Sequence, residues 1–369
     1  MFSLGSASRS SVGLDIGSAA IKVVELKAVG KKWRLLRCGS ALLPPEAVAD
    51  GVVKERETVA QAVAGLLKSL RISNRVVAAA VSGSAVITKK IQLPIMTELD
   101  LEDQISLEAE EYIPFDIEDV TLDFQILTPT KGKAVAKLKG KPAPKDLNAP
   151  EETMEVLLAA CRKDLLNNRL ETLKAAGLTV SVLDMDLYCA ANAYETFLQP
   201  PLTGETVAVI NAGASLLNIV ILRNGAPDFT RDHPFGGHRM LEEAQRRFRL
   251  APGAAQRALL GEGLLPVPKE TLHQEVIQPF LEQLVHQLGQ TIDFYHQNHT
   301  EQTVQTICLA GGCALIPGIA DFLSQQTGIP VETAQPAQSG KLSVPAEYVS
   351  QLDARYLVAL GLALRGAPA

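Results

Sequence analysis

The sequence lacks an excess of basic residues: 35 Lys and Arg stand against 41 Asp and Glu, giving a formal net charge of -6 at pH 7. A protein that binds nucleic acid broadly over its surface needs such an excess to neutralise the phosphates. Nucleic acid is therefore excluded as the main partner.

Long apolar runs are also missing. The chain has no uninterrupted run of about 18 apolar residues, the length that predicts a membrane-spanning helix. Its first residues, MFSLGSASRSS, lack the apolar core of a signal peptide. We therefore expect a cytoplasmic protein whose contact with a membrane goes through a partner or a surface.

Cysteines are few, odd in number and scattered along the chain. The five are Cys38, Cys161, Cys189, Cys308 and Cys313. Most have apolar neighbours, as in ICLAGGCAL, which is typical of reduced core residues in a cytoplasmic protein. With 369 residues and 47% hydrophobic content, the chain is long enough for two domains with sizeable cores.

The stretch VGLDIGSAAIKVVELK, starting at Val12, consists of two strand-like runs around a tight, small-residue turn. It predicts a hairpin with a carboxylate and a hydroxyl close to its tip. A third strand, a helix over about residues 57–70 and the buried-type strand RVVAAAVSG follow.

The same order recurs downstream in TVAVINAGASLLNIVILRNGAPDFTRDHPFGG, with a small-residue turn over residues 211–215. A long helical region and the buried-type strand TICLAGGC come later. An internal repeat constrains the fold more than a single motif does, so we predict a duplicated α/β architecture.

A different segment lies between the copies, over about residues 85–179. It has strands, a helix whose capping box begins at Thr97 and Asp100, and a second helix ended by Gly177. These features predict an inserted α+β subdomain. Within it, KGKAVAKLKGKPAPKDLNAPEE is rich in Lys and Pro and is interpreted as a loop between two strands.

The hairpin tips suggest a chemistry. A tight turn with exposed backbone N–H groups and a hydroxyl can surround phosphate oxygens, and a nearby carboxylate can hold hydrated magnesium. Two facing tips would clamp a triphosphate. In LAGGCALIPGI, Gly311 and Gly312 follow a buried strand and allow the backbone to approach a flat base such as adenine.

These motifs resemble those of the actin, Hsp70 and sugar-kinase superfamily of ATPases. The stretches LDIGSAAIKVVELK, LPIMTELDLEDQISLEAEEYIPFDIEDVTLDFQIL and RYLVALGLALRG resemble, more narrowly, the type IV pilus assembly protein PilM family, which is related to FtsA. The resemblance implies an α/β actin-like (ribonuclease H-like) duplicated fold, with two lobes around a nucleotide cleft and the inserted α+β subdomain. The implied boundaries are 1–84 and 181–203 for the first lobe and 85–180 for the insertion, which would contain the partner groove. The second lobe would cover 204–350, with a helical part at about 237–300. A C-terminal helix over 351–369 would return to the first lobe.

The resemblance also implies ATP and magnesium as ligands, with a role for each matching residue. Asp15 would hold magnesium through water. The β- and γ-phosphates would be met by Gly17 and Ser18, and Lys22 could also reach the phosphates. The second phosphate loop would consist of Asn211, Gly213, Ala214 and Ser215, and the adenine would be bordered by Gly311 and Gly312.

Two positions depart from the family pattern. The second phosphate loop usually begins with Asp, but this chain has Asn211, which lacks the charge that would orient a water molecule. Where Glu and Lys often reach the ribose, only Gln256 and Arg257 stand nearby. We therefore expect ATP binding with weak or absent hydrolysis.

The partner implied by the resemblance is the N-terminal cytoplasmic tail of a PilN-like inner-membrane protein, which would hold this protein at that membrane. Other pilus platform proteins, and the protein itself, are further candidate partners. The helix over residues 98–112 is expected to form one wall of the groove, with its acidic face towards Arg or Lys of the tail.

Two alternatives remain open. A divisome filament protein resembling FtsA would be expected to end in a linker and an amphipathic helix, and the ending ALRGAPA is short for that. A small-molecule kinase of the same superfamily would need an acceptor cleft with a catalytic base, for which no motif stands out.

Overall fold

The computed structural model describes residues 10–127, 153–198, 204–262, 267–299 and 302–366. The chain divides into two compact units, a larger one of Met1–Gly83 with Arg169–Ala369 and a smaller one of Ser84–Asn168. Residues 169–180, which the sequence places in the insertion, lie in the larger unit. The Lys- and Pro-rich segment predicted to be a loop lies outside the described residues.

The described strands follow the hydrophobic runs of the sequence. In chain order they are β1 (Ser11–Ile16), β2 (Ala20–Val29), β3 (Lys32–Leu42), β4 (Val48–Ala49), β5 (Val52–Val53), β6 (Val76–Val81), β7 (Val86–Pro94), β8 (Val120–Ile126), β9 (Thr153–Arg162), β10 (Thr179–Met185), β11 (Thr206–Ala212), β12 (Leu217–Arg223), β13 (Ala226–His233), β14 (Thr306–Ala310), β15 (Val331–Thr333) and β16 (Leu342–Ser343).

The described helices fill the segments with a helical apolar period. They are α1 (Arg56–Ser69), α2 (Glu98–Ala109), α3 (Lys163–Ala175), α4 (Asp186–Phe197), α5 (His238–Phe248), α6 (Pro252–Leu259), α7 (Lys269–Leu272), α8 (Gln278–Asn298), α9 (Ile319–Thr327) and α10 (Leu357–Arg365). A π-helical turn, His273–Ile277, joins α7 to α8.

The larger unit contains two sheets with the same core topology. The first has the order β10-β6-β1-β2-β3-β16, and the second has the order β13-β12-β11-β14-β15. In each sheet an antiparallel three-strand meander is extended by parallel strands beside its first strand. The duplication predicted from the sequence is thus present in the hydrogen-bond register.

The core explains why the strands of the repeats read as continuous apolar runs. All of β1 is buried, and β12 is buried except at its last residue. The helix α10 packs on β1 and on α4, and its residues from Leu357 to Ala363 are all buried. The five cysteines are buried and form no disulfide, and desolvation raises the pKa of Cys38, Cys308 and Cys313 to about 12.

The smaller unit is a three-stranded antiparallel sheet in the order β7-β9-β8 with α2 packed on it. The predicted capping box of α2 is confirmed, because the Thr97 hydroxyl accepts from the Asp100 N–H while the Asp100 carboxylate accepts from the Thr97 N–H. Leu101, Ile105 and Ala109 form the buried face of this helix, as the period predicts.

No helix of the described ranges is both long and apolar enough to cross a membrane.

Candidate functional site

The first hairpin tip lies between β1 and β2, where Asp15 faces Lys22 in the antiparallel register. The Lys22 ammonium lies 2.6 Å from Oδ2 of Asp15, and Asp15 is only 6% exposed. The Gly17 N–H donates to the Ala20 carbonyl at 3.1 Å and closes the turn that contains Ser18. Lys22, predicted to reach phosphates, is therefore paired with Asp15 in this structure.

A second carboxylate, which the sequence interpretation missed, joins this tip. The strands β1, β6 and β10 are parallel and end at the same edge of the sheet, and α4 begins with Asp186 directly after β10. Burial and the charge of Asp15 raise the pKa of the Asp186 carboxyl to about 7, although the Ser82 hydroxyl, Arg169 and Lys22 act in the opposite direction. The sequence feature that could have identified Asp186 is its position directly after a strand, since ligands of open α/β sheets bind at the carboxyl ends of strands.

Asn211 occupies in the second sheet the place that Asp15 has in the first, because each residue stands one position before the end of its strand, β11 or β1. Its Nδ2 donates to Oδ1 of Asn218 at 3.2 Å, and Nδ2 of Asn218 donates to Oδ1 of Asp232 at 2.9 Å. Asp232 also accepts from the backbone N–H of Gly83, so the end of β6 in the first sheet is linked to β13 in the second. Because an ionised carboxylate only accepts, Asp232 fixes the direction of both amides.

The second hairpin tip repeats the first. The Gly213 N–H donates to the Leu216 carbonyl at 2.9 Å, which is the same spacing as the bond from Gly17 to Ala20. In both tips the glycine N–H thus closes the turn, and each tip also carries a hydroxyl, that of Ser18 in the first and that of Ser215 in the second.

The sequence interpretation also missed the segment that supports this second tip. Gly237 and His238, at the start of α5, donate their N–H groups to the carbonyls of Gly213 and Ala214 at 3.0 and 2.8 Å. The His238 Nδ1 lies 3.2 Å from Oγ of Ser215, and burial lowers the pKa of this histidine. The sequence feature that could have identified this segment is the pair of glycines in HPFGGH, because glycine allows two backbones to approach closely.

The loop after β14, which contains Gly311 and Gly312 and is called the third loop, adjoins the second hairpin tip. The reason is that β14 runs parallel to β11, with Ala310 paired to Asn211. Gly311 has φ of +88°, and a Cβ on it would lie 2.4 Å from the Ala212 carbonyl oxygen and 2.8 Å from Oδ1 of Asn211. A Cβ on Gly312 would meet nothing within 4 Å. Gly311 therefore holds the loop against β11, while Gly312 borders open space.

The positions considered for the ribose, Gln256 and Arg257, lie exposed on α6.

The acidic pair fits a hydrated cation. Two carboxylates lie close enough for one to raise the pKa of the other, although Arg169 and Lys22 lie beside them. A divalent ion would relieve the repulsion that remains between them. No group of three or more His, Cys, Asp or Glu side chains in the described parts of the chain could hold a metal ion directly. Magnesium held through water by Asp15 stays a prediction.

Comparison with known proteins gives consistent results. The family described as type IV pilus assembly protein PilM matches residues 13–367. A solved structure, the PilM-PilN type IV pilus biogenesis complex, superposes with a TM-score of 0.81 at 29% identity, over 98% of this chain and 100% of that chain.

More distant similarities concern other bacterial proteins. MreB5 of Spiroplasma citri bound to ADP superposes with a TM-score of 0.50 at 12% identity, over 96% of this chain and 94% of that one, which concerns the fold alone. The cell division protein FtsA of Streptococcus pneumoniae serotype 2 is 22% identical over 385 residues, or 96% of this chain and 83% of that protein.

The duplicated sheets, with equivalent hairpin tips at their strand ends, define an actin-like ATPase fold. Since the family match covers residues 13–367, nearly all of the sequence, the chain belongs to the type IV pilus assembly protein PilM family.

Proposed function

We propose that this protein is an ATP-binding scaffold of a type IV pilus, or related secretion, platform at the inner membrane. In this proposal the smaller unit binds the N-terminal cytoplasmic tail of a PilN-like protein, which holds the scaffold at the membrane. The observation that carries the proposal is the similarity, along both chains, to a PilM-PilN complex.

Nucleotide binding is supported by the residues that converge at the strand ends. Asp15 and Asp186 would hold hydrated magnesium, the tips around Ser18 and Ser215 would contact the phosphates, and Gly312 would border the base. Magnesium, when bound, would neutralise phosphate charge. The protein residues orient the ligand and fix the two tips at defined positions.

Weak hydrolysis is supported by the chemistry of Asn211. Its Nδ2 is used as a donor to Asn218, and a neutral amide cannot take a proton from an attacking water. The carboxylates proposed to hold magnesium, Asp15 and Asp186, both lie in the first half of the duplication, and Asp232 in the second half is engaged by the Asn218 amide. ATP would therefore act mainly as a bound ligand.

Partner binding is supported by the exposed face of α2. Leu99 and Leu107 are each 69% exposed, and the exposed acidic residues Glu102 and Asp103 lie between them in the helix. Exposed leucines flanked by carboxylates suit a tail that offers both apolar and basic side chains. The predicted groove wall thus has both properties needed for such a tail.

The test measures two affinities by calorimetry, one for Mg-ATP and one for a synthetic peptide of the N-terminal cytoplasmic tail of a PilN-like protein from the same organism. Asp15→Ala should abolish magnesium-dependent ATP binding, because it removes a hard oxygen ligand. An unchanged dissociation constant in the presence of magnesium would refute the site assignment.

For the tail, Glu102→Lys should weaken peptide binding about 5-fold or more, as expected when a like charge faces a basic segment. Asp293→Lys, a reversal on the exposed face of α8, is the matched control and should leave binding unchanged. Equal affinities for both variants would remove α2 from the groove. Rapid turnover of ATP with a small-molecule acceptor would instead favour a kinase.

A further inference from the structure

A cavity of about 430 Å³ lies at the edge of the second sheet, where α4 ends. It is lined by Tyr194, Phe197 and Leu198, by residues of β14 and β15, and by the segment after β15. Its volume is within the range of small-ligand pockets, about 300–1,000 Å³. The candidate nucleotide residues stand at the opposite ends of the same elements, since Asp186 begins α4 and Gly311 follows β14. The cavity is therefore separate from that site.

The register of two parallel strands forms the polar wall of the cavity. Cys308 of β14 pairs with Glu332 of β15, so the two side chains stand on the same face of the sheet. Thr306, two residues before Cys308, stands on that face as well. Because β15 is the edge strand and has only three residues, Glu332 is exposed while Cys308 is buried.

The last turn of α4 forms the apolar wall. Tyr194 and Phe197 are three residues apart in this helix, so they lie on the same side of it. Phe197 is buried and the following Leu198 is half-buried, which gives the wall a surface for a hydrocarbon stem. The C-terminal end of a helix also carries partial negative charge and favours a cation nearby.

The hydroxyl of Tyr194 is available to a ligand. This side chain lines the cavity and is only 7% exposed, yet its hydroxyl has no hydrogen-bond partner among the residues that the structure describes. Buried hydroxyls are normally paired. Burial is the largest cause of the raised pKa of Tyr194, and the charges of Glu332 and Glu205 add to it, so the hydroxyl stays protonated. It can accept a hydrogen bond from a cationic N–H group.

The charge of the cavity is negative. Glu332 is the only charged side chain among the described residues that line it, and within the described ranges its carboxylate has no ion-pair partner. Lys341 follows later in the same segment, but its charge acts on Glu195, where it opposes the rise in pKa that burial causes. Neither of these two residues lines the cavity. The exposed amides of Gln335 and Gln338 add further donors and acceptors at the rim.

We propose that this cavity binds a guanidinium group carried on a short apolar stem. Glu332 pairs with the cation, the Tyr194 hydroxyl accepts one of its N–H groups, and the stem lies against Phe197. A guanidinium is suited to this arrangement because its planar fork of donors reaches a carboxylate and a hydroxyl at once, whereas an ammonium acts as a point charge. Two sources carry such a group, a free small molecule and an arginine side chain of another protein. The site does not depend on the proposed binding of nucleotide or tail.

The experiment titrates the full chain, without nucleotide or peptide, and follows the NMR shifts of the backbone amides of β14 and β15. The probe is butylguanidinium, and its neutral isostere butylurea is the control ligand. We expect butylguanidinium to bind with a Kd of about 1 mM or lower, which is reasonable for a ligand of this size. Butylurea should bind about 5-fold or more weakly, because it cannot form a charged pair with Glu332.

Two variants test the lining residues. Glu332→Gln keeps the size of an exposed side chain and should weaken butylguanidinium binding about 5-fold or more, while leaving butylurea binding unchanged. Tyr194→Phe removes only the hydroxyl and should weaken butylguanidinium binding about 3-fold, the effect of one lost hydrogen bond. Glu347→Gln, at an exposed carboxylate outside the cavity, is the matched control and should keep the wild-type affinity.

A third ligand, N-acetyl-arginine methylamide, separates the two sources because it carries the same group on a peptide backbone. Binding at least as tight as that of butylguanidinium assigns the site to an arginine of another protein, and weaker binding assigns it to a free small molecule. Absence of saturable shifts in β14 and β15, or equal affinities for butylguanidinium and butylurea, would overturn the proposal. So would equal butylguanidinium affinities of Glu332→Gln and Glu347→Gln.

Discussion

Asn211 donates its Nδ2 to Oδ1 of Asn218 at 3.2 Å, and the Asp232 carboxylate beyond Asn218 sets the direction of that bond. Sequence alone suggests that Asn211→Asp is nearly isosteric and raises hydrolysis by restoring a carboxylate. The structure adds a cost, because two acceptors would then face each other. Rotating Asn218 would only move the conflict to Asp232.

We therefore predict that Asn211→Asp lowers the free energy of unfolding by about 1 kcal/mol, the lower end of the effect of an unmatched polar group, because Asn211 is half-buried while Asn218 is buried. Asn211→Asp/Asp232→Asn should recover stability, since the carboxylate and the amide exchange ends of the chain of bonds. Single-turnover hydrolysis should rise about 10-fold in the double variant. Urea denaturation measures the free energy of unfolding and quench-flow measures single-turnover hydrolysis, with Asp232→Asn as the control. A double variant as unstable as Asn211→Asp would contradict the prediction.

Asp186→Asn should stabilise the ligand-free protein and weaken its response to Mg-ATP. The substitution removes the repulsion from Asp15 that contributes to the raised pKa of Asp186. Differential scanning fluorimetry should show a higher Tm without ligand and a smaller increase on adding Mg-ATP. Asp184→Asn, near the end of β10 and two residues before Asp186, breaks the ion pair with Arg365 of α10; it is the control and should keep the full increase.

The two neighbouring glycines of the third loop should respond differently to alanine. Gly311→Ala forces a Cβ into the Ala212 carbonyl at a positive φ, so we expect a loss of thermal stability. Gly312→Ala has open space and should keep the wild-type Tm while weakening ATP binding, because its methyl group would stand where the base is proposed to lie. Wild-type affinity in Gly312→Ala would place the base elsewhere.

His233 should make the fold sensitive to acid. The Thr291 hydroxyl donates to the Gln287 carbonyl, so it accepts from Nε2 of His233 at 2.7 Å. Burial, and then the charge of Arg231, lower the pKa of His233 below its ordinary 6.5. The neutral form is favoured in the folded state, so its stabilisation is present above pH 6.5 and is lost as the pH falls from 6.5 through the lowered pKa.

The measurement is the change in Tm between pH 7.5 and pH 5. His233→Gln keeps an N–H donor for Thr291 but does not titrate, so its decrease in Tm should be smaller than that of the wild type. Equal decreases would show that other groups dominate acid unfolding.

The duplicated fold was predictable because each copy has its own hydrophobic strands and its own hairpin turn, which are local features. The pairing of Asp15 with Lys22 also follows from local register. Asp186 was not predictable from spacing, since parallel pairing brings together residues far apart in sequence. Arg169 was unrecognised for the same reason, because its partners Ile16 and Gly51 are over a hundred positions away. The link from Asn218 to Asp232 lies within the antiparallel register of β12 and β13, so it depends on the exact register of that hairpin.

The buried cysteines have a practical consequence for experiments. Because all five are buried, and because the raised pKa of Cys38, Cys308 and Cys313 keeps these thiols protonated, maleimide dyes should react slowly with the native protein. A single cysteine placed at Leu107, which is 69% exposed, can then be labelled without removing any native thiol. Such a fluorophore reports directly on occupancy of the α2 face.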